Sequence, residues 1–180
     1  KTIRVGDPMS EDTHMGPLAT KRQRDRIEQL LAKSIDEGGR LLTGGGRAGR
    51  EIGWYFEPTI VECDTQRLPI VQNELFGPVL SVMRFSDEAE AISMARSTDY
   101  AFAGGVFSRD FGKAYRTARA IPAGRFWINT YRVTSYMMPF GGSANSGYGR
   151  EAGIEAIHDY TQSKAIFVDL SGETPTDPFV

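Results

Sequence analysis

The chain has 180 residues, 40% of them hydrophobic, and a formal net charge of −2, which suits one soluble globular domain with a core of its own and argues against nucleic acid as a partner, since no surplus of Lys and Arg is available to face phosphates. One cysteine, Cys63, rules out an internal disulfide, and with only His14 and His158 beside it the chain lacks the ligands of a Cys/His metal site, so no metal is expected. No apolar run approaches the roughly 20 residues of a membrane-spanning helix, and the opening K-T-I-R-V-G-D-P is no signal peptide; a reducing, cytoplasmic compartment with no membrane partner is the expectation.

Residues 1–17 read as a polar lead-in with turn signals at Gly6-Asp7-Pro8 and Gly16-Pro17, and a start at Lys1 in mid-pattern raises the expectation of a fragment. Thr20 can cap a helix, with Gln23 in the reciprocal position of a capping box; Ile27, Leu30, Leu31 and Ile35 form its apolar face, and Gly38-Gly39 stops it. Lys21, Arg22, Arg24 and Arg26, diluted by Asp25 and Glu28, read as a solvated face. Residues 40–50 are a short strand and a glycine-rich turn. That turn lacks the Lys-Ser/Thr ending of a phosphate loop and reads as a flexible hairpin tip. Residues 55–62 read as a strand closed by Cys63, a half-buried core thiol in preference to a nucleophile.

The segment Q-N-E-L-F-G-P, residues 72–78, places Glu74 two residues before an aromatic ring, Phe76, and a Gly-Pro turn. A carboxylate can accept both hydroxyls of a ribose and a neighbouring ring can cover a flat one; a solvated Glu before a core Phe is the equal alternative. From Pro78 the chain alternates. Strand 79–85 is followed by helix 87–97 with Ala89, Ile92 and Ala95 or Arg96 along one side, strand 105–107, helix 110–121 with Phe111, Ala114, Tyr115 and Ala118 inward, and strand 125–128. The pattern implies an α/β fold, a mostly parallel sheet with flanking helices.

In such sheets ligands gather beyond the carboxyl ends of strands, and Asn129 lies at one. It opens the stretch 127–151, W-I-N-T-Y-R-V-T-S-Y-M-M-P-F-G-G-S-A-N-S-G-Y-G-R-E. A loop of this length is functional or disordered, and Tyr131, Tyr136, Met137, Met138 and Phe140 argue against disorder. Gly147-x-Gly149-x-x-Ala152 matches a dinucleotide pattern, but a long loop separates it from the strand, so the glycines read better as permitting tight turns. No nucleophile elbow is written here, and His158 reads as a surface or packing histidine. Residues 150–160 can form a helix with Ile154 and Ile157 inward. Residues 164–170 form a late strand whose partner must come from another subunit or another segment, and the tail 171–180 reads as loose.

Taken together, N-E-L-F-G-P-V-L, G-R-F-W-I-N and M-P-F-G-G-S-A-N-S-G-Y-G-R-E, with V-G-D-P before them and Y-T-Q-S-K-A-I after, resemble in order and spacing the motifs of the NAD(P)-dependent aldehyde dehydrogenase superfamily. The resemblance covers nearly the whole chain. It implies the C-terminal portion of an aldehyde dehydrogenase-like catalytic domain over residues 1–162 and a β-strand oligomerisation arm over 163–180, pairing across a homodimer or dimer of dimers. It further implies an oxidoreductase that oxidises an aldehyde to a carboxylic acid with NAD or NADP through a cysteine thioester. Glu74 would bind the nicotinamide ribose hydroxyls and Phe76 would sit beside the nicotinamide. Phe140 would line the substrate tunnel with Arg132 and Thr134 near its mouth, and Asn129, Gly141, Gly142, Gly147 and Gly149 would shape the loop. Ala144 and Thr134 depart from the lysine and aromatic common at those positions. No catalytic residue is assignable: Cys63 lies after the nucleophile position, and the chain alone is expected to be inactive. The alternative from another class is a non-catalytic binding or dimerisation module on the same fold.

Overall fold

The structure, a computed structural model, describes residues 2–50 and 52–173. Helix α1, Lys21–Asp36, starts where expected: Thr20 is extended and its Oγ1 accepts the Gln23 amide at 3.2 Å. It ends through Glu37 and Gly38, the latter at φ +105°. The face that α1 buries is Arg24, Ile27, Leu31 and Ser34. Ile35, expected inward, is 40% exposed.

The sheet under α1 has the order β1-β2-β3, from Arg40–Thr43, Thr59–Glu62 and Val79–Val82, with β1 antiparallel and β3 parallel to the central β2. Between β2 and β3, Pro69 opens a single-turn helix α2, Pro69–Gln72. Ser34 Oγ joins the two helices by donating to Leu30 O at 2.8 Å and accepting the Ile70 amide at 3.1 Å. The core comprises Ile27, Leu31, Phe56, Val61, Cys63, Leu68, Ile70 and Leu75. Burial of each large side chain there stabilises the fold by about 1.5–3 kcal/mol.

The second half repeats strand and helix without joining that sheet. Asp87 Oδ1 caps α3, Glu88–Ala95, by accepting the Glu90 amide at 2.8 Å, and Asp110 Oδ1 caps α4, Phe111–Ala120, by accepting the Lys113 amide at 3.0 Å. Strand β5, Ala103–Val106, pairs in parallel with β6, Arg125–Ile128, whereas β4, Tyr100–Ala101, pairs antiparallel with β7, Ser143–Ala144.

Several expectations are corrected. In place of one mostly parallel sheet, the described residues form three separate ones, because β3 and β5 do not pair with each other. Helix α4 buries Ala114 and Thr117, while Phe111 and Tyr115 stack on each other at 6.0 Å and stand 68% and 52% exposed; the small residues let the helix lie close to β5 and β6, which turns the rings aside. Ala89 and Ala95 of α3 are likewise exposed. The helix expected over 150–160 is a 3₁₀ helix, Ile154–Tyr160, with none of its residues buried. Residues 164–170, expected to pair with an edge from another subunit or segment, pair with no strand among the described residues, and Ile166, Phe167, Val168 and Leu170 are exposed. The last part of the expected arm, residues 174–180, lies outside the described residues. No helix among the described residues is long and apolar enough to cross a membrane.

Candidate cofactor and substrate site

The first part of the site is the turn between α2 and β3. Leu75, 8% exposed, plugs into the core, so its neighbours Glu74 and Phe76 are turned outward, Phe76 to 71% exposure. Phe76 adopts φ +52°, unusual for a residue with a Cβ. Gly77 packs closely on α1: a Cβ on it would fall inside 3.0 Å of Ile27 Cδ1, which would have to move aside. The turn is held from α1 by two side chains. Gln23 Nε2 donates to Phe76 O, and Arg26 Nη1 donates to Glu74 O at 2.7 Å. The Glu74 carboxylate itself meets no donor among the described residues, which leaves both oxygens free to accept a pair of hydroxyls. Glu74 opens onto a cleft of about 320 Å³ that Tyr100, Phe102, Pro122 and Ser146 also line.

The second part starts where β6 ends. Asn129, at φ +54°, ties the carboxyl ends of β5 and β6 together: its Oδ1 accepts the Ser108 amide at 2.8 Å and its Nδ2 donates to Ser108 O at 2.9 Å. Trp127 Nε1 donates to Val133 O at 2.9 Å and its ring meets Tyr131 edge-on. Arg132, at φ +61°, lays its guanidinium on Tyr131 at 5.6 Å and forms no ion pair among the described residues; Thr134 beside it is exposed. Neither lines the cleft of Glu74.

Phe140 is half-buried, between the Arg125 guanidinium at 4.4 Å and the edge of Phe102 at 5.3 Å. Phe102 therefore connects the two parts, lining the cleft of Glu74 on one side and touching Phe140 on the other. The backbone of Phe140 exchanges hydrogen bonds with Glu151 at 2.6 and 2.7 Å. Arg150 Nη1 closes the loop by donating to Gly142 O at 2.6 Å and Gly149 O at 2.7 Å. Gly141 approaches so closely that a Cβ on it would stand 2.5 Å from Gly149 O, while Gly147 and Gly149 turn the chain at φ +113° and +84°. No helix begins at Gly149 to receive a phosphate.

Cys63 is 2% exposed with its Sγ aimed at Val61 O, and burial pushes its thiol pKa up, the opposite of what a nucleophile needs. The glycine turn after β1 spends its amides on the protein, Gly45 donating to Thr59 Oγ1 and Gly46 to Glu57 Oε2. Among the described residues no group of acidic, His and Cys side chains could hold a metal.

Sequence reasoning missed Gln23, Arg26, Arg125, Arg150 and Phe102. The basic run on α1 is only in part a solvated face, because Arg24 is buried against Trp54 at 5.1 Å and Arg26 holds the turn. The missing signal was positional: Gln23 and Arg26 lie one turn apart on the helix edge that Ile27 directs toward Gly77.

The structure thus has an exposed carboxylate on a cleft that Ser146 of the loop after β6 also lines, and in α/β enzymes ligands gather at such strand-end loops. The model of the aldehyde dehydrogenase family matches residues 1–166, and the chain belongs to that family. It is 44% identical, over all of this chain and 37% of the relative, to (Z)-2-((N-methylformamido)methylene)-5-hydroxybutyrolactone dehydrogenase of Acinetobacter baylyi. It is 43% identical, over 94% of this chain and 36% of the relative, to betaine aldehyde dehydrogenase of Brucella anthropi. Among solved structures, PnpE in complex with nicotinamide adenine dinucleotide matches with a TM-score of 0.89 at 42% identity, covering 97% of this chain and 36% of that one. A betaine aldehyde dehydrogenase of Staphylococcus aureus in complex with NAD+ matches with a TM-score of 0.88 at 37% identity, covering 96% of this chain and 36% of that one. The chain thus spans little more than a third of the length of these relatives.

Proposed function

We propose that this chain is the cofactor-ribose and substrate-tunnel portion of an enzyme that oxidises an aldehyde to a carboxylic acid with NAD or NADP. The observation that carries the reading is the turn at residues 74–76, where Leu75 is buried and the residues on either side, Glu74 with an unpaired carboxylate and Phe76 with its ring, are exposed. Glu74 accepts the two nicotinamide ribose hydroxyls, and Phe76 covers one face of the ring. The bound cofactor supplies the hydride acceptor. Phe140, fixed by Phe102 and Arg125, forms an apolar wall for the aldehyde, with Arg132 and Thr134 at the mouth. Asn129 and Gly141, Gly142, Gly147 and Gly149 set the shape of that wall.

The reacting thiolate, which attacks the aldehyde carbonyl, and the base that activates water to hydrolyse the thioester come from residues outside this chain, since Cys63 is walled in by the core. The exposed apolar residues 166–168 and Leu170 belong to an arm over 163–180 that pairs with a second subunit, giving a homodimer or a dimer of dimers. Mixing this chain with NAD+ or NADP+ and a panel of aldehydes should give no reduced nicotinamide, whereas the full-length enzyme should give it with at least one aldehyde. Reduction by the isolated chain overturns the division of labour; absence of reduction by the full-length enzyme with any aldehyde overturns the activity.

A further inference from the structure

We propose that Met137 and Met138 form a peroxide-sensitive modification site, whose conversion to sulfoxide alters the substrate wall. The two residues lie on a short arch over residues 136–140. Both feet of the arch are hydrogen-bonded to one segment: Tyr136 O accepts the Gly153 amide at 2.9 Å, and Phe140 exchanges backbone bonds with Glu151 at 2.6 and 2.7 Å. Ser135 holds the start of the arch, its Oγ accepting the Met137 amide and its carbonyl the Met138 amide, both at 3.2 Å. The arch also rests on Gly153, where a Cβ would stand 3.1 Å from Pro139 N and 3.5 Å from Met138 C. A backbone held on both sides keeps its side chains where they are, and Met137 and Met138 stand 71% and 61% exposed.

Access decides which thioethers react. Of the six methionines, Met9, Met137 and Met138 are exposed, whereas Met15, Met83 and Met94 are half-buried. Hydrogen peroxide is the oxidant. A sulfur lone pair attacks one peroxide oxygen, the O–O bond breaks as the S–O bond forms, and the departing hydroxide takes the remaining proton to leave as water. The thioether is oxidised by two electrons and the peroxide is reduced. Each sulfoxide replaces an apolar sulfur by a polar, chiral group. Phe140 is itself a foot of the arch, so a change in how the arch is solvated reaches the wall directly. That consequence, unlike the oxidation itself, rests on the assignment of Phe140 to the aldehyde.

The test treats the full-length enzyme with hydrogen peroxide and follows peptide masses together with KM for an apolar aldehyde. KM is the readout because loss of the reacting thiolate to peroxide lowers kcat and leaves the KM of the surviving enzyme unchanged. Met9, Met137 and Met138 should gain oxygen several-fold faster than Met15, Met83 and Met94, and KM should rise several-fold in step with Met137 and Met138. A methionine sulfoxide reductase should reverse both changes. Changing Met137→Leu and Met138→Leu together should leave the untreated KM as in the parent and abolish the rise, whereas Met9→Leu should leave the rise intact. Uptake at Met137 and Met138 no faster than at the half-buried methionines overturns the site. An unchanged KM after uptake, or the same rise in the double leucine variant, overturns its effect on the wall. An unchanged KM in Phe140→Ala overturns instead the assignment of Phe140 beneath that effect.

Discussion

Replacing Gly77 by alanine adds one methyl at the point where the turn between α2 and β3 crosses α1. The new Cβ would fall inside 3.0 Å of Ile27 Cδ1, with Ile27 Cγ1 at 3.4 Å and Leu18 Cδ2 at 3.6 Å as ordinary contacts. Ile27 is fully buried in the core that holds Leu31, Phe56 and Val61, and close-packed interiors leave little room for a displaced methyl. Overpacking of this kind costs about 1–3 kcal/mol. Ile27→Val removes the one atom in conflict and by itself costs about 0.5–1.5 kcal/mol through lost burial. The double variant should therefore be more stable than independent effects allow, with a coupling of about 1 kcal/mol or more in its favour. Urea unfolding followed by tryptophan fluorescence on the parent, both single variants and the double variant measures it. Costs that add within about 0.5 kcal/mol would refute the close approach of the turn to α1.

Cys63 should react with iodoacetamide at least ~100-fold more slowly in the folded protein than in urea, because its thiol is both enclosed and held protonated by burial; comparable rates would mean that the core around it is open. Arg47 donates to both oxygens of Glu28 at 2.6 and 2.8 Å and holds that carboxyl below the ordinary glutamate value. The resulting stabilisation is complete above that ordinary value and fades as the pH falls through the depressed one. Glu28→Gln should thus cost up to ~1 kcal/mol near neutrality and nothing in strong acid, as read from thermal melts across the acid limb; a cost independent of pH would exclude the ion pair as its source. In the full-length enzyme, if the proposed place of Arg132 at the tunnel mouth holds, Arg132→Ala should lower turnover of carboxylated aldehydes relative to neutral ones several-fold and raise that of cationic aldehydes, because its guanidinium has no ion pair among the described residues. An unchanged ratio removes Arg132 from substrate selection.

Local signals in the sequence located most elements. Thr20, Asp87 and Asp110 mark the helix starts because a short polar side chain before an apolar period has one good use, accepting the amide three residues on. The resemblance singled out Glu74 and Phe76, and the structure adds why both are exposed: Leu75 between them is in the core. What stayed hidden was non-local. Strand pairing is decided across the fold, so regular alternation after Pro78 could not reveal that β3 and β5 lie in different sheets. The apolar stripe of α4 suggested that Phe111 and Tyr115 face inward, yet close approach to β5 and β6 selected Ala114 and Thr117. Gln23 read as half of a capping box; its side chain leaves the helix end for a carbonyl 53 residues away, a destination no local pattern encodes. The positive φ of Phe76, too, is imposed by partners and not by residue type.

The most direct measurement is the affinity of the full-length enzyme for NAD+ with Glu74 changed to glutamine, which keeps the shape of the side chain and removes its charge. If Glu74 accepts the ribose hydroxyls, the dissociation constant should rise at least roughly tenfold, the worth of charge-assisted hydrogen bonds, while the melting temperature without cofactor stays that of the parent. An unchanged dissociation constant would contradict the assignment of this turn to the cofactor and, with it, the proposed role of the chain.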